Sequence, residues 1–202
     1  TTTYNTGGDV FEVDISADGS KMVAASADDY IYFFERNNSN PSWRYDTGAE
    51  IYSVAISADG EYIVIGDADT TTCSIRFFNK NSATPLWTYY TGHEVGSLSI
   101  SAEGTYIIAG ISDENITNNV HLFDKSSNVP LWSYVTGAVY STSISADGEY
   151  IVASTVNSNY VYLFDKDSST PLWSYEVSGS PNSVDISADG EYVVAGSSDS
   201  DF

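Results

Sequence analysis

The chain has little positive charge. It holds 7 Lys and Arg against 28 Asp and Glu, a formal net charge of −21 at pH 7 over 202 residues. Lys21, Arg36, Arg44, Arg76, Lys80, Lys125 and Lys166 are scattered singly, so no basic patch can form. Nucleic-acid binding needs clustered bases to neutralise phosphates, and that class is excluded. An anionic membrane surface is disfavoured on the same ground. Cys73 stands alone, which rules out an internal disulfide and a cysteine-based metal site. No run approaches the ~18 consecutive apolar residues of a spanning helix, so membrane insertion is not expected. Only His93 and His121 are present, without the spacing of a zinc site. There is no Gly-x-Ser-x-Gly elbow, no Walker loop and no dinucleotide fingerprint. No segment keeps a helical period.

What is present is aromatic and repetitive. The chain carries 16 Tyr, 8 Phe and 4 Trp, a composition that favours strands. Turn glycines recur at Gly19, Gly60, Gly104, Gly148 and Gly190, each closing a Ser-Ala-Asp/Glu-Gly turn ahead of an apolar segment. The tryptophans keep the same clock at Trp43, Trp87, Trp132 and Trp173, each two residues after a proline. A period of about 40–45 residues built from short strands is the signature of propeller blades. In the fourth repeat, Ser141–Ser145, Tyr150–Ser154, Tyr160–Phe164 and Pro171–Tyr175 read as four successive strands.

These repeats predict an all-β fold, a β-propeller of four-stranded antiparallel blades. Full blades are expected over about 9–48, 49–92, 93–137 and 138–179, with a partial blade over 180–202. Residues 1–8 match a fourth-strand tail and are expected to supply that partial blade's outer strand. The whole is either a five-blade ring or an arc of a larger one. Because one sheet cannot bury both of its faces, blades must stack. Trp43, Trp87, Trp132 and Trp173 are expected between blades, with Phe34, Phe78, Phe123 and Phe164 packing at the ends of the third strands.

The run Gly92-His93-Glu94-Val95 through Ser101-Ala102-Glu103-Gly104 resembles the opening of a WD repeat. The segment from Leu163-Phe164-Asp165 to Pro171-Leu172-Trp173 is similar instead to the quinoprotein, or PQQ-like, repeat. Only His93 fills the Gly-His slot, and the adjacent cysteine pair of quinone-binding dehydrogenases is absent. The resemblance implies a protein-interaction or scaffolding platform and not a quinone enzyme.

Carboxylates form the one candidate constellation. Asp28, Asp29, Asp67, Asp69, Asp113, Glu114 and Asp199 follow the second strands. Asp9, Glu50, His93 and Glu94 lie in the connections between blades, expected on the same face. Together these predict an acidic partner-binding rim. A second acidic set, including Asp18, Asp59, Glu61, Asp147, Glu149, Asp189 and Glu191, sits in the first turns, where Asp before Gly is ordinary turn chemistry. No catalytic residue and no resident cofactor is assigned. Ca²⁺ is the one cation that such carboxylates could take, although it needs six to eight converging oxygens. His121 reads as a packing position with a polar tip.

The leading expectation is a non-enzymatic binding or scaffold module with a protein partner. The alternatives are a carboxylate- or metal-dependent hydrolase of glycans, or a structural repeat that self-associates through open blade edges. Two sequons, Asn37-Asn38-Ser39 and Asn115-Ile116-Thr117, together with the acidity, point to an extracellular or cell-surface location, with the cytoplasm as the alternative.

Overall fold

The computed structural model describes residues 3–68, 73–113 and 119–198. These residues form a β-propeller with an open ring. The first blade is β1 (Val10–Ile15), β2 (Lys21–Ser26), β3 (Tyr30–Glu35) and β4 (Trp43–Asp46). The second is β5 (Ile51–Ile56), β6 (Tyr62–Asp67), β7 (Ser74–Asn79) and β8 (Trp87–Tyr90). The third is β9 (Val95–Ile100), β10 (Tyr106–Ile111), β11 (Val120–Asp124) and β12 (Trp132–Tyr134). The fourth is β13 (Val139–Ile144), β14 (Tyr150–Thr155), β15 (Tyr160–Asp165) and β16 (Trp173–Glu176). Each is an antiparallel sheet in sequence order, and β17 (Ser180–Ile186) and β18 (Val193–Ser198) make a two-stranded sheet.

Local chemistry sets the first turns. Ser57 Oγ donates to the Asp59 carboxylate at 2.5 Å, and Asp59 accepts the Glu61 N–H at 3.0 Å. Ser16–Asp18, Ser145–Asp147 and Ser187–Asp189 repeat the arrangement. The Ser20 N–H and the Ser16 hydroxyl hold the exposed Asp18 carboxyl down at about 2. Gly104 and Gly148 have φ of 67° and 79°, where a side chain is strained. A Cβ on either would also lie 2.5 or 2.4 Å from the ring of Tyr62 or Tyr106 in the preceding blade.

The blade interface repeats with equal regularity. Trp43 stacks on Phe33 of its own blade and Phe78 of the next, at 5.0 and 5.7 Å between centroids. Its indole N–H donates to the Lys80 carbonyl at 2.7 Å. Trp87 meets Phe77, Phe123 and the Lys125 carbonyl in the same way. Trp132 meets Phe164 and the Lys166 carbonyl. Tyr45, Tyr89 and Tyr134 add edge-on contacts to Phe78, Phe123 and Phe164. Phe78, Phe123 and Phe164 are fully buried as a result.

The first strand of each blade is a sheet edge with N–H groups that no strand pairs. Side chains of the preceding blade take several of them. The Val54 and Ile56 N–H groups donate to Glu12 and Asp14 at 2.6 and 2.8 Å. Those of Thr142 and Val184 donate to Ser97 and Ser141 at 3.0 and 3.1 Å. Below them Ala17 N–H donates to the Ala58 carbonyl, Ala102 to Ala146 and Ala146 to Ala188.

Two expectations about the ends need correction. Residues 3–9 form no strand and do not complete the β17–β18 sheet. Tyr4 instead packs edge-on against Phe34 at 5.5 Å, the contact that Tyr45 makes with Phe78. The segment thus occupies the place of a fourth strand before the first blade. Phe34, covered from that side by Tyr4, is half-buried. Trp173 was expected between blades, yet it is 39% exposed. Its would-be partner is a third strand beside β18, and none lies among the described residues. A cavity of about 580 Å³ between Trp173, Tyr175, Tyr192 and Val193 marks that gap.

The two tryptophans therefore separate in stability. Trp132→Ala should lower unfolding free energy by ~3–5 kcal/mol in urea titrations, as for a packed aromatic. Trp173→Ala should cost less than about 1 kcal/mol. Equal losses would refute the placement of Trp132 at a sealed interface.

Candidate functional rim

The turns after the second strands and the connections between blades share one face. Backbone bonds hold them side by side. Ala27 N–H donates to the Asp9 carbonyl, Ala68 to Glu50, Ser112 to Glu94 and Val156 to Ala138. Asp9, Glu50 and Glu94 thus occupy equivalent positions on successive blades, and all three are exposed.

The acids on this rim divide by what their carboxylates already hold. Asp28 accepts the Gly7 N–H at 2.7 Å and the Tyr32 hydroxyl at 2.6 Å, tying the N-terminal segment to the first blade. Burial works to raise its pKa, but these bonds and those from Ser26 and the Tyr30 N–H outweigh it and hold the carboxyl below its ordinary value. Burial and the same Asp28 bond push the Tyr32 hydroxyl up to about 12. Asp113 sits at the corresponding place in the third blade and pairs with His93 Nδ1 at 2.6 Å. Asp29 serves the turn through its backbone, with φ of 69° and a carbonyl that accepts the Thr47 N–H. Glu50 accepts the Tyr52 hydroxyl.

Asp67 is a correction. It was expected on the acidic rim, but it is 1% exposed and turned inward. Its carboxylate accepts the Ser74 N–H at 2.7 Å and the Ser74 hydroxyl at 2.8 Å, and forms an ion pair with Arg76. A buried carboxylate persists only when paired and hydrogen-bonded, and this one is both. Arg76 in turn lies over the Tyr45 ring. Asp69, Glu114, Asp199 and the sequon at Asn115 lie outside the described residues. Asn37, of the other sequon, is exposed in the turn after β3. His121 is buried, with Nδ1 2.8 Å from Ser133 Oγ.

Two groups were not singled out from the sequence. Glu12 and Asp14 lie on β1 and line a central cavity of about 300 Å³ with Val54, Ile56, Leu98 and Ser143. Burial raises both carboxyls above their ordinary values, opposed by the N–H groups of Val54 and Ile56. Their oxygens cap the β5 edge, which is a structural task. The signal was the acid at positions where the second, third and fourth repeats have Ser or Ala, Asp185 of the fifth being the one other acid. The second group is a set of bulge residues. Every first strand slips register at one residue: Phe11, Tyr52, Gly96, Tyr140 and Asn182. The unpaired residue leaves the ladder, and Phe11, Tyr52 and Tyr140 are exposed there. Phe11 and Tyr52 touch at 5.0 Å.

Among the described residues, no group of three or more His, Cys, Asp or Glu side chains is placed to hold a metal ion. The rim presents carboxylates and aromatic rings side by side.

The division among the acids sets a test. Asp67→Ala leaves the partly buried Arg76 and the Ser74 N–H without their carboxylate and should cost ~2–4 kcal/mol in urea unfolding. Glu94→Ala on the exposed rim should stay within about 0.5 kcal/mol. A mild Asp67→Ala would contradict the inward placement.

A family model described as outer membrane protein assembly factor BamB, built on the PQQ-like repeat, matches residues 5–201. No curated protein matches the chain.

Proposed function

The chain belongs to the family of the outer membrane protein assembly factor BamB, whose repeat is PQQ-like, and on that premise we propose that it is a non-enzymatic propeller that binds a protein partner through its acidic rim. The observation that supports this most is the row of exposed acids, Asp9, Glu50 and Glu94, held in register by backbone bonds from the adjoining turns. Such a row is a fixed surface and not a flexible loop. A partner docking there meets preorganised groups, which lowers the ordering cost of association.

The family description also supports a place outside the cytoplasm, on the periplasmic or surface side of an envelope. The net charge of −21 fits that reading, since a strongly charged surface keeps a protein soluble and steers oppositely charged partners. The channel carboxylates do not favour a hydrolase, because Glu12 and Asp14 are engaged with the backbone of β5.

Site-specific photo-crosslinking in the native host tests the proposal. A photoreactive residue at Glu50 or Glu94 should give a discrete adduct with another protein. The same residue at Ser99 in the channel should give none. Discrete adducts from the channel alone would overturn the assignment of the rim.

A further inference from the structure

The rim has a distinct inner mouth. There Phe11 and Tyr52, 45% and 37% exposed, stand on the bulges of two successive first strands with their rings 5.0 Å apart. Tyr52 donates its hydroxyl to Glu50. Glu50 pushes the Tyr52 hydroxyl above its ordinary value, and Glu94 holds the equivalent rim position on the next blade. Large exposed aromatics with few rotatable bonds are the side chains that anchor protein interfaces.

The chain shows elsewhere what it sets against such a group. Arg44 lies over the Tyr30 ring at 4.6 Å, and Asp46 faces that tyrosine across β3 and β4. Arg76 lies over Tyr45 at 5.8 Å while paired with Asp67. A guanidinium over a tyrosine ring thus occurs twice, once with a carboxylate paired to it. Lys21, Lys80 and Lys166 are held by Glu35, Glu61 and Glu149, and Lys125 lies over Tyr62. Among the described residues no Lys or Arg is placed against Phe11, Tyr52, Glu50 or Glu94.

We propose that this mouth is the docking point for an arginine-bearing segment of the protein partner, with the guanidinium over Tyr52 and its N–H groups on Glu50 and Glu94. Charge complementarity selects this occupant. A planar guanidinium stacks on a ring and donates to carboxylates at the same time, which a hydrated ammonium does less well. An apolar segment would leave two carboxylates desolvated and unpaired. This inference rests on the protein-binding reading of the rim and names the chemistry of what binds.

Chemical-shift mapping on the 202-residue chain tests it, with acetyl-Gly-Arg-Gly-Arg-Gly-amide as probe. Its counterpart has citrulline, which keeps the shape and loses the charge. The arginine peptide should shift resonances of Phe11, Tyr52 and their neighbours, and the citrulline peptide should not. Tyr52→Ala should weaken binding roughly three- to thirtyfold. The Glu50→Gln/Glu94→Gln pair should weaken it likewise. Glu149→Gln/Glu191→Gln removes the same charge from the opposite rim and should leave it within about twofold. Thermal melts confirm that each variant is folded. Three results would overturn the proposal: no localised shifts, equal effects from the two double variants, or an equal response to spermidine. A rim crosslink that survives Phe11→Ala/Tyr52→Ala would sink the arginine site while leaving the protein-binding function standing.

Discussion

Neither face of one of these sheets is buried until another sheet is set against it. That constraint governs the molecule. The three interfaces between full blades use the same clamp: an indole against a phenylalanine of the next blade, its N–H on a backbone carbonyl, and a tyrosine edge closing the side. The inner strands add polar stitches from side chain to neighbouring backbone. Apolar area supplies most of the stabilisation. The polar bonds fix how one blade sits on the next, because a misplaced blade would leave buried donors unpaired.

The same constraint explains the ends. Val194 is 65% exposed, whereas Val23, Val64, Ile108 and Val152 at the equivalent position are all buried. The residue type is unchanged and only the covering blade differs. Tyr192 stands out in the same way beside Tyr62, Tyr106 and Tyr150, which lie against turn glycines of the next blade. The acidic rim depends on this stacking too, since its acids are aligned only because each blade is a copy of the last.

Much of the fold was legible because the repeat writes it several times over. The glycine and tryptophan clocks set the blades, whereas residues 3–7 resemble a fourth-strand tail but form no strand, Tyr4 packing instead on Phe34. The site was less legible. Asp67 looked like its rim neighbours in sequence, and bonds from Ser74 together with the pairing to Arg76, both on the adjacent strand, turn it inward. The bulges were hidden because the adjacent apolar pair Val10-Phe11 reads as the start of a strand as readily as a one-residue slip. Glu12 and Asp14 were not singled out, since their backbone partners lie in another blade.

Hydrogen exchange read residue by residue tests the central claim, that stability is set by how many faces of a sheet are covered. Amides of β6 and β10, with blades on both sides, should exchange slowest. Those of β2 should be intermediate and those of β18 fastest, with a spread of several kcal/mol between the extremes. Uniform protection across all five sheets would mean that each blade is stable alone, and would contradict the account.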